Sequence, residues 1–207
     1  MSELVVLAFE GSGPASRPGS RRFLNLLLLL LLATVVIAVG LVSLGFFDPQ
    51  PAGELAHEFE AGVYTVSPGE ERLEWFPLEE GLPDDFALQM LNVIDDGEPG
   101  IEVGVAAGDS AAALVLALSP NGYVAIWEET LNGKRYLLPW QSWPHVRPGE
   151  NEIWLQREGK RWQARINREL LWEGSWEGRG GLAGIYLGRG EGSEPATVDI
   201  PVVRVYR

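Results

Sequence analysis

The sequence predicts an all-β sandwich domain carried behind a single apolar helix. Three observations point to this. Residues 23–47 (FLNLLLLLLLATVVIAVGLVSLGFF) run for 25 positions without a charge. From residue 57 onward, about eleven short segments alternate or run apolar between turn residues. No amphipathic helix of about ten residues interrupts them.

The apolar run is long enough to cross a membrane. A spanning helix needs about 20 apolar residues, and 25 residues give roughly 37 Å of helix. That exceeds a hydrocarbon core of about 30 Å, so tilt is expected. Arg17, Arg21 and Arg22 precede the run, whereas Asp48, Glu54, Glu58 and Glu60 follow it before the first basic residue, Arg72. Positive-inside asymmetry places the N-terminus in the cytoplasm and the C-terminal part outside. A cleaved signal peptide is the competing reading, but its apolar core is normally about 7–15 residues. Ser20-Arg21-Arg22-Phe23-Leu24 is similar to a twin-arginine export signal but lacks the spacer before Phe-Leu. Basic residues that set topology explain it more simply.

The chain divides accordingly. Residues 1–22 form a cytoplasmic tail, rich in Gly, Ser and Pro from Gly11 to Ser20 and expected to be flexible. Residues 23–47 are the membrane helix, and 48–56 (DPQPAGELA) read as a stalk. Residues 57–207 are the part able to bury a core, at a common single-domain size. The tail holds three Arg and two Glu and the helix no charge, so residues 48–207 hold −14 of a total −13. Such an acidic domain disfavours nucleic acid, whose phosphates need clustered Lys and Arg. It also disfavours docking on anionic lipid. With no cysteine, disulfides, thiol nucleophiles and Cys zinc sites are excluded.

The strand segments follow in order. They are 57–66, 72–79, 84–93, 101–107, 113–119, 123–129, 135–140, 151–158, 161–167, 182–188 and 197–206. Asn121-Gly122 and Asn132-Gly133 are two-residue hairpin signals. Glu158-Gly159-Lys160 and Asn167-Arg168-Glu169 read as further tight turns. Ser67-Pro68-Gly69, Asp95-Asp96-Gly97, Pro99-Gly100 and Pro148-Gly149 mark loops. Trp172-Glu173-Gly174-Ser175-Trp176-Glu177-Gly178 reads as a Gly-rich connecting loop. Spacings of roughly 8–12 residues suit a sandwich or barrel.

The stretch from Gly149 to Asn167 (GENEIWLQREGKRWQARIN) resembles a pattern of concanavalin A-like, laminin-G-like jelly-roll domains. In that pattern a G-x-N strand leads through a hairpin into a second strand that ends in an Asn-Gly turn. Gly181-Leu182-Ala183-Gly184-Ile185 and Val198–Val205 are similar to its later strands. Phe86–Met90 and Asn121-Gly122-Tyr123 are similar to earlier elements. The resemblance covers most of 57–207 and implies the jelly-roll fold. Two departures stand out. Arg168 replaces the turn glycine, which points to a different turn type. Pro201 interrupts the last strand, which should therefore lie at an edge or a bulge there.

Candidate chemistry is sparse. The E-x-D-x-x-E acid strand used by glycosidases of this fold is missing. His57 and His145 lie far apart with no nucleophile motif beside either, and no Gly-rich phosphate loop occurs. The resemblance allows Ca²⁺ held by loop acids such as Asp84-Asp85, Asp95-Asp96 and Asp109, but no calcium-loop motif supports it. No cofactor is therefore expected. The notable feature is eight Trp, all beyond residue 74: Trp75, Trp127, Trp140, Trp143, Trp154, Trp162, Trp172 and Trp176. Aromatic faces stack on sugars, but Trp also fills cores. Alternation puts Trp162, Ala164 and Ile166 on one core-like face, Trp154 opposite Ile153 and Leu155, and Trp127 opposite Val124 and Ile126. Trp140, Trp143 and Trp154 are the surface candidates. Two stand beside prolines and one is out of phase with its strand.

These readings predict a single-pass membrane protein, anchored in the lipid bilayer by residues 23–47, whose extracytoplasmic sandwich binds a glycan or protein without catalysis. The alternatives are an accessory subunit of a larger membrane complex and, more weakly, a glycoside-active enzyme.

Overall fold

The computed structural model describes residues 18–43, 48–94, 100–178, 181–191 and 194–207, with the backbone alone for 18–22 and 43. The tail before residue 18 and the loop acids Asp95 and Asp96 lie outside the described residues. Two compact units emerge, one ending at Asp48 and one spanning Pro49–Arg207.

The first unit contains α1 (Pro18–Ser43). Proline suits a first helical turn because its missing N–H would have no partner there. Within α1, Phe23–Val42 is long and apolar enough to cross a membrane, and its side chains are exposed. Thr34 Oγ1 donates to the Leu30 carbonyl at 2.9 Å, which satisfies that hydroxyl within the helix.

The second unit is a two-layer β-sandwich. Its strands are β1 (Leu55–Phe59), β2 (Gly62–Val66), β3 (Glu71–Trp75), β4 (Phe86–Ile94), β5 (Ile101–Gly108), β6 (Ala112–Ser119) and β7 (Tyr123–Thr130). They continue as β8 (Gly133–Ser142), β9 (Gly149–Glu158), β10 (Arg161–Ile166), β11 (Glu169–Ser175), β12 (Leu182–Arg189) and β13 (Ala196–Tyr206). Sheet A runs β1-β13-β4-β9-β10-β11, with β2 also on β13, and sheet B runs β3-β12-β5-β6-β7-β8. Every ladder is antiparallel.

The core lies between the sheets and follows the alternation. Ile153 and Leu155, Trp162, Ala164 and Ile166, and Val124 and Ile126 all point into it. Trp162 is fully buried and meets Phe86 and Trp176 edge to face, at 5.5 and 5.3 Å between centroids. Each ring buries about 150–250 Å². At about 25 cal/mol per Å² that is at most about 4–6 kcal/mol per ring.

The two asparagines of the Gly149–Asn167 pattern clip one corner together. Asn167 Nδ2 donates to Asn151 Oδ1 at 2.9 Å and to the His145 carbonyl at 2.6 Å. Asn151 is buried, accepts from the Arg147 N–H and donates to the Arg147 carbonyl, both at 2.8 Å. The loop carrying Trp143 and His145 is thereby tied to the β10–β11 turn.

Several local expectations change. Segment 57–66 is two strands, broken where Gly62 takes φ +93°. The segment read as a stalk ends inside the sandwich: β1 starts at Leu55, and Glu54 and Arg207 exchange both backbone hydrogen bonds at 2.8 and 2.9 Å. Trp172 to Ser175 belong to edge strand β11 rather than to a loop, because the Asn167-Arg168 hairpin folds them back on β10. That hairpin keeps the turn geometry a glycine would give: Asn167 and Arg168 both have positive φ, 51° and 73°, as a type I′ turn requires. Pro201 falls where β13 changes partner from β2 to β1, and its register with β4 slips between Asp199 and Val202. The residue without an N–H thus sits at a bulge, as expected.

Candidate functional site

Sheet B has a second buried cluster on the face turned away from the core. Ala106, Ala113, Val115, Ala117 and Ala125 face outward there, yet are almost or wholly inaccessible. Register explains the pattern. Ala106 pairs with Val115 and Val115 with Trp127, while Gly104 pairs with Ala117 and with Tyr186 on the other side. A floor of small residues on β5 and β6 is thereby flanked by a large ring on β7 and another on β12. These strands are three spacings, about 14 Å, apart. Trp127 and Tyr186 lean across that distance and meet edge to face at 4.8 Å, 0% and 1% exposed respectively.

A polar network closes over the rings. Lys134 Nζ lies 4.8 Å from the Trp127 ring centroid and 5.2 Å from that of Tyr186. It donates to Tyr186 Oη at 3.3 Å and pairs with Glu71 at 2.7 Å. Tyr186 Oη donates to Glu102 Oε2 at 3.0 Å, and Trp127 Nε1 donates to Glu129 Oε2 at 2.8 Å. Gly188 makes this arrangement possible, because a Cβ there would meet the Tyr186 hydroxyl. Lys134 and Glu71 belong to the two edge strands of sheet B, β8 and β3. On a flat sheet these edges stand five spacings, about 24 Å, apart. A lysine and a glutamate can bridge them only if the face is concave.

Burial sets the protonation behaviour of the network. It pushes the Glu102 carboxyl above the usual carboxylate range, against the opposing Tyr186 hydrogen bond and the Lys134 charge. Burial, and next the charge of Glu102, push the Tyr186 phenol far up, so it remains a hydrogen-bond donor.

The rim is aromatic and more open. Tyr136 is 44% exposed and stands 6.0 Å from Trp127, tilted 49°. Trp140, half-buried, stands 6.3 Å from Trp127, tilted 43°. Tyr123 is exposed on the same face. Two recesses open beside the rings. One of about 240 Å³ lies between Glu71, Leu73, Glu129 and Tyr186. The other, of about 180 Å³, lies between Trp75, Asp109 and Leu131.

The three tryptophans singled out by sequence are not brought together. Trp140 joins this concave face. Trp143 packs against the main core from its loop, ring to ring with His145 at 5.2 Å. Trp154 does lie on the face opposite Ile153 and Leu155, but it is 2% exposed, so its expected surface role is corrected. It sits between Gln89 and Arg165 across the sheet, and its Nε1 donates to Glu152 Oε1 at 2.6 Å. Sequence reasoning did not single out Lys134, Tyr136, Tyr186, Glu71 or Glu102. A signal was present: Gly and Ala recur on one face of three successive strands, a floor that needs large side chains above it.

Two of the loop acids, Asp109 and Asp85, are engaged in structure. Asp109 Oδ1 accepts from the N–H of Ala111 and Ala112 at 2.8 and 2.9 Å, and Asp85 Oδ1 accepts from Gly159 at 2.5 Å. Among the described residues, no group of three or more His, Cys, Asp or Glu could hold a metal ion.

Solved structures share this architecture. Galectin LEC-6 from Caenorhabditis elegans superposes with a TM-score of 0.50 at 11% identity, covering 72% of this chain and 96% of the galectin. The catalytic domain of an endo-1,3-beta-glucanase (laminarinase) from Thermotoga petrophila superposes at 0.51 and 10% identity, covering 76% and 99%. The sandwich is a concanavalin A-like jelly roll. No protein-family model and no curated sequence matches the chain. Identity this low speaks for the jelly roll alone.

Proposed function

We propose that the protein is a membrane-anchored jelly roll that binds a glycan, without catalysis, on the concave face of sheet B. The observation that supports this is the aromatic platform. Trp127 is locked in place by Tyr186, Lys134 and Glu129, and beside it Tyr136 and Trp140 present partly open rings. Ring faces take the apolar faces of sugars. Glu129, Glu102 and Lys134 around them supply acceptors and a donor for hydroxyls. Most of the platform is set before any ligand arrives, which reduces the ordering cost of binding. Phe23–Val42 anchors the chain, and the arginines before it hold the tail in the cytoplasm, leaving the jelly roll outside.

The test is retention of the full chain, in lipid nanodiscs, on a glycan array. Trp140→Ala and Tyr136→Ala should each cut retention by roughly tenfold or more, the loss typical of an aromatic binding residue, with the melting temperature preserved. Undiminished retention in both variants would remove the platform from the site.

One observation favours a second reading, a glycoside-active enzyme. Glu102 and Glu71 flank Gly188 on the same concave face, two strand spacings apart, and Glu102 has the raised carboxyl a general acid needs. Release of reducing ends from a retained oligosaccharide, abolished by Glu102→Gln, would establish it.

A further inference from the structure

The outer face of sheet A carries a further cavity, of about 330 Å³, at the small end of the range for ligand pockets. Its polar lining includes Gln89, Glu150, Glu152, Arg168, Arg204 and Tyr206. Register builds it. Val202, Leu91 and Glu152 form one row across β13, β4 and β9, and Arg204, Gln89 and Trp154 form the next. Leu91 and Val202 supply an apolar patch among the polar groups.

The polar groups hold one another in set positions. Glu152 accepts from Trp154, from Gln89 and, at 3.2 Å, from Arg168. Tyr206 Oη donates to Gln89 Oε1 at 2.9 Å, and Arg204 pairs with Glu58 at 2.6 Å. Each arginine is thus matched by a carboxylate. An anionic ligand would have to break one of these pairs. A ligand bearing several hydroxyls would not, because each hydroxyl both donates to a carboxylate and accepts from a guanidinium.

Arg168 shows that this lining is maintained against a local preference. It occupies the second central position of a two-residue hairpin at φ +73°, where Asn-Gly is the favoured pair and a side chain is strained. The hairpin itself has no need of an arginine. What the arginine adds is a guanidinium on Glu152 at the cavity wall. Backbone strain retained beside a cavity is a pointer to use of the side chain.

From the cavity, its two paired arginines and the strained backbone of Arg168, we propose that the outer face of sheet A is a separate binding site for a neutral, polyhydroxylated ligand such as one hexose unit of a glycan. This site does not rest on the sheet B reading, and one experiment separates the two. The full chain in nanodiscs is applied to an array of neutral gluco-, galacto- and manno-oligosaccharides alongside sialylated and sulfated ones. Arg168→Gly relieves the strained turn, so it should raise the melting temperature while lowering retention of a set of neutral oligosaccharides by roughly tenfold. Trp140→Ala should leave that set unchanged. Three results would overturn the proposal: no retention of neutral oligosaccharides, neutral retention indifferent to Arg168→Gly, or a preference for the anionic probes. A fall in melting temperature for Arg168→Gly would also count against it, because the arginine would then be serving the fold.

Discussion

Lys134 Nζ and Glu71 Oε2 meet at 2.7 Å although their strands, β8 and β3, are the opposite edges of one six-stranded sheet. The bridge crosses a face whose floor is glycine, alanine and Val115 and whose walls are Trp127 and Tyr186. Small residues in the middle strands and large rings at the sides let a curved sheet close on its own side chains. The aromatic platform is therefore a product of packing between strands far apart in sequence.

That bridge should hold geometry more than it adds stability. The Glu71 side chain is 52% exposed, so solvent screens the pair. Glu71→Gln is expected to cost less than about 1 kcal/mol in chemical denaturation of the full chain, with the cost shrinking as salt rises. Lys134→Ala should cost more, since it also removes a cation from two rings, each contact worth about 0.5–2 kcal/mol.

Trp154 and Trp140 should separate cleanly. Trp154→Ala empties a site that is 2% exposed and leaves Glu152 without its indole donor. A loss of about 3–5 kcal/mol is expected. Trp140→Ala removes a half-buried rim ring, so the fold should survive and retention on the glycan array should fall. Equilibrium denaturation beside the array measures both. Equal destabilisation would place Trp140 in the scaffold.

The jelly roll was readable because its main signals are local. The phase of Trp162, Ala164 and Ile166, the Asn-Gly hairpins and the proline in the last strand each imply their surroundings within a few residues. Trp154 shows where local reading stops. Alternation gave its face correctly, but that face is covered by the β4 and β10 neighbours, and only register supplies them. Arg168 departed from the glycine pattern without changing the turn, because the hairpin tolerates the strain. The concave site depends on β3, β7, β8 and β12 meeting across as many as 117 positions of sequence, between Glu71 and Gly188. Periodicity carries no information over such distances.

The raised Glu102 carboxyl gives stability a predictable pH dependence. Its folded pKa lies above the ordinary 4.5, with burial the largest cause. Between 4.5 and that higher value the folded state binds more protons than the unfolded one. Its contribution is fully present below the unfolded pKa and is lost as pH rises through the folded one. Glu102→Gln should flatten this decline while its amide oxygen still accepts from Tyr186. Denaturation of wild type and variant from pH 4 to 7 (the range just around and above about 4.5) measures it. A decline of undiminished steepness in the variant would assign the effect to another group.

The most direct test of glycan binding on sheet B follows the indole N–H signals of the eight tryptophans by NMR, with the full chain in micelles. An oligosaccharide whose retention falls in Trp140→Ala but not in Arg168→Gly is titrated in, and each signal is assigned by Trp→Phe substitution. The Trp140 signal should move most, the Trp127 signal less, and those of Trp154 and Trp162 should stay in place. Saturable movement confined to Trp154 or other indoles outside sheet B, with Trp140 unmoved, would contradict a binding site on the concave face.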